Sequence, residues 1–266
     1  MSRKLRLDAE LVRRGLARSR VQATELIAAG RVEVGGALAG KAATQVGTDA
    51  AITVREAGIE PDYVSRGGHK LAGALAAFPE LTVAGRRCLD AGASTGGFTE
   101  VLLAAGASQV VAVDVGYGQL AWPLRTDPRV TILDRVNVRS LRPEQVAPAP
   151  ALVTADLSFI SLTLVLPALV ACTAPDADFV LLVKPQFEVG KGKVGAGGVV
   201  RDPALREAAV AAVAAAAAMH GLGVEGVTAS PLPGPSGNVE YFLWLRRGAA
   251  QLDEAALRLA ITAGPQ

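Results

Sequence analysis

The sequence predicts an α/β fold, a seven-stranded and mostly parallel Rossmann-like sheet covered by helices, preceded by a small α+β domain. Three observations predict it. Apolar, β-branched runs alternate with helical stretches from Arg86 to Leu245, the pattern of a parallel sheet wrapped on both faces. Leu89 to Glu100, LDAGASTGGFTE, reads as a strand entering a glycine-rich turn and then a helix. The charge is uneven: residues 1–50 hold nine Lys or Arg against five Asp or Glu while the whole chain carries +2, so the other 216 residues sum to −2. A basic module is thereby set apart from a mildly acidic body, as in chains that join a polyanion-binding domain to something else.

The N-terminal segment LDAELVRRGLARSRVQATELIAAGRVEVGG contains two short amphipathic helices and a strand. Asp8 is expected to cap the first helix and Gly15 to end it; Ser19 caps the second, which stops at Gly30. Leu11, Val12 and Leu16 then face Ala23, Leu26 and Ile27, leaving Arg13, Arg14, Arg18 and Arg20 toward solvent. With a closing strand AITV after Asp49, residues 4–56 resemble the S4 RNA-binding domain. The resemblance implies recognition of folded RNA through shape and phosphates, in keeping with the lack of Phe, Trp or Tyr before Tyr63. Arg6, Arg18, Arg20 and Lys41 are the expected phosphate contacts. The domain is placed at residues 1–58, a polar connection at 59–66, and the body at 67–266.

The body opens with GGHKLAGALAAF, a helical pattern that carries Lys70 near its start. A lysine there opposes the helix dipole and needs a partner. Strands are expected at Arg86–Asp90, Gln109–Asp114, Arg129–Leu133, Ala151–Asp156 and Phe179–Lys184, then at Gly223–Ala229 and Val239–Leu245, the last two forming an antiparallel edge. In the glycine-rich turn, Gly92, Gly96 and Gly97 lack a Cβ, so backbone can approach a ligand, and the helix start offers unpaired N–H groups. A dinucleotide fingerprint needs glycine two residues after Gly92, where Ser94 stands. Asp114 ends the next strand, where a carboxylate can accept both hydroxyls of a ribose; S-adenosylmethionine fits this pair at least as well as a nicotinamide dinucleotide.

Ligands of open α/β sheets bind at the carboxyl ends of the strands. Asp90, Asp114, Asp156 and Lys184 end otherwise apolar strands, and Glu240 joins them if the last strand is antiparallel. GKGKVGAGG, residues 190–198, lacks the lysine–hydroxyl ending of a phosphate loop. Leu162 to Ala174, broken by Pro167, is too short to span a bilayer, and MSRKLRLDAE is charged where a secretion signal is apolar. No membrane partner and a cytoplasmic location are therefore expected. Cys88 and Cys172 lack companions at ligand spacing, so neither a metal site nor a disulfide is expected.

The segments SRGGHKL, DAGASTGGFTE, DVGYGQLAW, ADLSFISL, VKPQFEVGKG and PLPGPSGNVEYFLWLR resemble those of the TlyA family, ribosomal RNA 2′-O-methyltransferases sometimes named haemolysins. The resemblance implies S-adenosylmethionine as cofactor, with Asp90, Gly92, Ser94, Gly96, Gly97, Asp114 and Asn137 around it, and no metal. It implies a Lys-Asp-Lys-Glu tetrad at Lys70, Asp156, Lys184 and Glu240. The implied substrates are cytidine riboses of small- and large-subunit ribosomal RNA within ribosomal subunits. Two other readings are a non-catalytic RNA-binding factor of the same fold and a membrane-lytic protein.

Overall fold

The computed structural model describes residues 4–54 and 63–265, which fall into two compact units divided between residues 62 and 63. Residues 59–62 of the expected connection lie outside the described residues. Residues 63–66 belong to the second unit: the Val64 N–H donates to Glu100 Oε2 at 2.6 Å, and the Tyr63 ring meets His69 edge-on at 5.1 Å.

In the first unit β1 (Lys4–Arg6) pairs antiparallel with β4 (Gln45–Gly47), and β2 (Val32–Val34) lies between β3 (Ala37–Leu38) and β5 (Ile52–Val54). Helices α1 (Leu7–Arg13) and α2 (Arg20–Ala28) pack over Leu7, Leu11, Ala17, Ala23, Leu26, Ile27 and Val46. Ser19 caps α2, accepting from the Gln22 N–H, and Gly15 and Gly30 adopt φ of +71° and +66° beyond the helix ends. Three local expectations are corrected. Asp8 sits inside the first turn of α1, with Arg6 at the cap position. Leu16 is on the surface while Ala17 is buried, because the reversal at Gly15 rotates the chain. Arg14 is half-buried, donating to the carbonyls of Thr48 and Ala50 and to Glu10.

The second unit is built on a seven-stranded sheet. Its members are β6 (Arg87–Ala91), β7 (Gln109–Asp114), β8 (Val130–Asp134), β9 (Leu152–Ala155), β10 (Asp178–Val183), β11 (Leu222–Ala229) and β12 (Tyr241–Arg247), in spatial order β11-β12-β10-β9-β6-β7-β8. Strands β6 to β10 are mutually parallel, and β12 runs antiparallel to both β10 and β11. The expected antiparallel edge is thus present, with β12 inside it rather than at the rim. Strand side chains alternate between two cores. Leu89, Val111, Val153, Phe179 and Leu181 pack with α7 (Leu166–Ala171), α9 (Pro203–Ala218) and α10 (Glu254–Ala263). Cys88, Val110, Leu152, Val180 and Leu182 pack on the other face with α3 (Arg66–Ala77) and α4 (Gly97–Ala104). Helix α10, absent from the sequence reading, starts at Asp253, whose carboxylate accepts from Ala255 and Ala256 N–H. Short helices α5 (Trp122–Arg125), α6 (Pro143–Val146) and α8 (Pro185–Glu188) complete the unit, α8 following β10 without a gap at Lys184.

Candidate active site

The parallel strands β6 and β9 lie side by side while their chains leave toward opposite edges, β6 to β7 and β9 to β10. Such a reversal of strand order opens a crevice at the carboxyl ends. Its floor depends on one missing side chain. Gly92, just past β6, has φ +86°, and a Cβ there would lie 2.5 Å from the Asp156 carbonyl oxygen. Only glycine lets the turn pass this close to the end of β9.

A cavity of about 420 Å³ occupies the crevice, lined by Gly92, Ser94, Asp114, Gln119, Asn137 and Asp156 among others. Asp114 is fixed before any ligand arrives, since its carboxylate accepts from Ser94 N–H at 2.8 Å and Gly116 N–H at 2.7 Å. Each oxygen keeps a lone pair for a diol. Asn137 accepts from the Arg139 N–H at 3.0 Å, which turns the chain at the cavity's edge. Gly92, Ser94, Asp114 and Asn137 all line this cavity. Three other expected contacts do not line the cavity. A Cβ on Gly96 would strike Leu124 and Leu120, and one on Gly97 would strike Ser65 Oγ and the Gly68 backbone, so these glycines serve helix packing. Asp90 is fully buried, accepting from Thr99 Oγ1 at 2.6 Å and Thr154 Oγ1 at 3.4 Å. Burial pushes its carboxyl up to about 7, with the nearby Asp156 adding to the rise.

The four other charged residues form two ion pairs at this same edge. Lys184, ending β10, holds its Nζ 2.6 Å from Asp156 Oδ1 and donates to Ser158 Oγ at 3.0 Å. Lys70, in the first turns of α3, donates to Glu240 Oε2 at 2.5 Å. Both members of that second pair are buried, which meets the need for a partner that Lys70's position near a helix start creates. Gly234 has no room for a side chain, as its Cβ would come within 2.6 Å of Glu240 Oε1. The carboxylate is thus walled in by the loop before β12.

Next to the first cavity lies a second of about 680 Å³, lined by Arg139, Phe159, Ile160, Ser161, Leu164 and Phe187 among others. Phe159 and Ile160 border both cavities. Phe159 is 91% exposed at φ +64°, an unfavourable backbone region for an aromatic residue. Sequence reading missed Ser158, Phe159 and Gln119. Only the proximity of Ser158 and Phe159 to Asp156 in ADLSFISL could have pointed to them.

In the first unit Arg6, Arg18, Arg20 and Lys41 are all exposed. Arg6 and Arg20 converge on one carboxylate, each donating to Asp8 Oδ2 at 2.9 Å. Among the described residues no helix is long and apolar enough to cross a membrane, and no group of His, Cys, Asp and Glu could hold a metal.

Comparison with known proteins agrees with this architecture. Residues 63–247 match the family of FtsJ-like methyltransferases and residues 5–52 match the S4 domain. The chain is 63% identical, over the full length of both, to the 16S/23S rRNA (cytidine-2′-O)-methyltransferase TlyA of Mycobacterium tuberculosis. It is 38% identical to Hemolysin A of Brachyspira hyodysenteriae over 89% of this chain and 98% of that one. A solved structure from Streptococcus thermophilus carrying a hemolysin name superposes with a TM-score of 0.77 at 37% identity, covering 98% and 96% of the two chains. An S4 domain followed by an FtsJ-like sheet, matched end to end at this identity, makes the chain a member of the TlyA family of methyltransferases.

Proposed function

We propose that the chain transfers a methyl group from S-adenosylmethionine to the 2′-hydroxyl of cytidine in ribosomal RNA of one or both ribosomal subunits, in the cytoplasm. The observation that carries this reading is the pair of lysine–carboxylate contacts at the carboxyl edge of the sheet, beside a nucleoside-sized cavity. The names of the relatives supply the substrate, since the Mycobacterium protein is named for 16S and 23S rRNA and a relative in Campylobacter jejuni for 23S rRNA.

The cavity suits the cofactor on the features described above: a glycine floor, an Asp114 carboxylate preset for a diol, and Asn137 at the rim. When bound there, S-adenosylmethionine supplies an electrophilic methyl group on a sulfonium. The ribose hydroxyl is a poor nucleophile, so the protein must hold its oxygen in line and stabilise the charge it gains. Lys184 is suited to this role, because its ammonium is largely buried, fixed by Asp156 and Ser158, and borders the cavity through both partners. With the cofactor bound, the hydroxyl proton would leave toward the Lys184–Asp156 pair as its oxygen takes the methyl group. Lys70 and Glu240 add a second, more deeply buried dipole at the same edge. The exposed Phe159 ring offers a face on which an unstacked base can lie.

The S4 unit supplies the basic surface for folded RNA. The test is to map 2′-O-methyl groups on ribosomal RNA from cells with and without the protein, and to follow tritiated methyl transfer to isolated subunits. Loss of specific cytidine methylation in the deletion is expected. Unchanged methylation together with no transfer in vitro leaves an RNA-binding factor as the remaining reading.

A further inference from the structure

Two segments that meet beside the candidate active site are joined by three successive contacts. One segment, Lys184 to Glu188, runs from the end of β10 through α8; the other, Asp156 to Leu162, follows β9. At the first contact Lys184 meets Asp156 and Ser158. At the second the rings of Phe187 and Phe159 lie 5.2 Å apart at 49°. At the third the Glu188 carboxylate accepts from Ser161 Oγ at 2.5 Å and from the Leu162 N–H at 2.8 Å.

The third contact is the one whose purpose is not local. Ser161 and Leu162 begin a short 3₁₀ turn, and Ser161 already accepts from the Thr163 N–H at 3.2 Å. Glu188, reaching across from α8, satisfies the Leu162 N–H that this cap leaves over. The carboxylate gives up water to do so: burial raises its pKa, against the two hydrogen bonds. Between the contacts stands Phe159 at φ +64°, a conformation that persists only where its surroundings hold it. Asp156 anchors one side of this strained turn and Glu188 the other. Ser158, the residue immediately before Phe159, carries the hydroxyl that accepts from Lys184.

We propose that Glu188 is a positioning residue for methyl transfer: its carboxylate holds the 158–162 turn so that Ser158 stays against Lys184 and the Lys184 ammonium keeps one orientation. This rests on the reading of Lys184 as the residue that meets the reacting oxygen. An ammonium with three donors on a flexible stem needs at least two fixed contacts to point its remaining donor reproducibly. The ion pair to Asp156 Oδ1 is one and the hydrogen bond to Ser158 Oγ the other. Free to relax, the turn would draw Ser158 away and leave Lys184 on Asp156 alone.

The experiment uses the full-length chain, ribosomal subunits and tritiated S-adenosylmethionine. Glu188→Ala is expected to lower kcat by about ten-fold or more, the scale of a small misplacement of a catalytic group. Its affinity for S-adenosylmethionine should fall much less than kcat, because Gly92, Ser94 and Asp114 are not on the turn even though Ser158, Phe159 and Ile160 line the same cavity. Glu188→Gln should recover most of the rate, as its amide oxygen can accept from Leu162 and its NH₂ can donate to Ser161 Oγ. Ser158→Ala should give a fall of similar size, and Ser158→Ala with Glu188→Ala no larger a fall than the worse single change, since both act through one contact. Ser161→Ala, which removes one of the two hydrogen bonds, gives a milder version should Glu188→Ala fold poorly. A wild-type kcat in Glu188→Ala and Ser161→Ala, a Gln variant as slow as the Ala variant, or additive losses in the double variant each overturn the proposal. Lys184→Ala, run alongside, separates it from the functional reading: full activity there removes the reading itself, whereas an inactive Lys184→Ala beside an unaffected Glu188→Ala removes only the positioning role.

Discussion

Lys184 and Glu240 stand opposite each other, one residue beyond the last rung of the β10–β12 ladder, where Val183 pairs with Tyr241, yet they do not pair. Lys184 turns to Asp156 at the end of neighbouring β9, and Glu240 turns to Lys70 on α3. Each carboxylate therefore has its own lysine, and the two pairs differ in burial: Lys70 and Glu240 have side-chain exposures of 7% and 1%, Lys184 and Asp156 of 10% and 23%. The more open pair borders the cavity, and the closed pair ties a helix to the sheet.

Removing one partner from the closed pair leaves the other charge buried. Glu240→Ala should destabilise the protein by about 3 kcal/mol or more, and Lys70→Met, which leaves the Glu240 carboxylate buried without its partner, by a comparable amount. Both should lose methyl transfer. Denaturant unfolding and a transfer assay on the same preparations check this; an unchanged midpoint for Glu240→Ala would show that Lys70 finds water or another acceptor.

Lys184→Ala should abolish transfer while S-adenosylmethionine still binds, because Lys184 does not line the cavity proposed for the cofactor whereas Gly92, Ser94 and Asp114 do. Calorimetry and the transfer assay read the two properties separately. Activity near wild type would end its assignment as the residue that meets the ribose oxygen.

Which parts of this arrangement were legible in the sequence follows from how each is encoded. Charged residues ending apolar strands are a local pattern, so Asp114, Asp156 and Lys184 could be set at one edge from the strand periodicity alone. The partners were not local: that Glu240 meets Lys70 and not Lys184 depends on where α3 packs on the sheet, which no spacing records. Gly96 and Gly97 were read as ligand approach because glycine after a strand serves that use, but packing against Leu120, Leu124 and Ser65 uses the same residue type for a different reason. Asp90 was misplaced similarly. A strand-end carboxylate points into the crevice or into the core according to its parity along the strand, and its pairing with Thr99 and Thr154 shows the second. Glu188 had no signal at all, since its partners are 26 and 27 residues earlier in the chain.

The glycines offer a direct contrast. Gly92→Ala should abolish S-adenosylmethionine binding, since the new Cβ meets backbone at 2.5 Å and the residue sits at φ +86°. Gly96→Ala meets only leucine side chains but at φ +101°, so it should lower stability, by about 1 kcal/mol or more for the backbone strain, with a smaller effect on affinity. Thermal melts with and without the cofactor distinguish them; equal affinity losses in both would mean that the cradle responds to any distortion of α4.

On the S4 unit, Arg18→Ala and Lys41→Ala should weaken binding to ribosomal RNA and reduce the salt slope by about one unit each. Arg6→Ala and Arg20→Ala should do the same and additionally disturb Asp8, whose carboxyl is held well below the usual range by Arg6 first and Arg20 after it. A depressed carboxyl contributes stability at neutral pH that is lost on acidification. These two variants should therefore show a weaker loss of stability on acidification than the wild type, a difference absent from the other two. An unchanged salt slope in all four would move the RNA surface elsewhere.

Asp90 makes the opposite prediction for pH. Its carboxyl is raised from 3.8 to about 7 by burial, and by Asp156 in addition, against the hydrogen bonds from Thr99 and Thr154. The folded chain thus keeps a proton that the unfolded chain releases near pH 4. Stability from this group is greatest below that point and falls as pH rises toward 7, by at most about 1.4 kcal/mol per unit. The depressed carboxyls of Asp8 and Glu10 act the other way, but their contribution is complete once the unfolded carboxylates are ionised, near pH 5. Between about pH 5.5 and 7 the declining limb should belong mainly to Asp90, with Glu188, whose carboxyl burial also raises, adding to it. Asp90→Asn keeps the shape and cannot ionise, so it should reduce that decline and leave the variant relatively more stable at pH 7.5 than at 5.5, compared with wild type. Unfolding midpoints at the two pH values decide it: an identical pH dependence in both proteins would mean that Asp90 is ionised throughout, its two threonine hydroxyls being enough to hold the charge in the core.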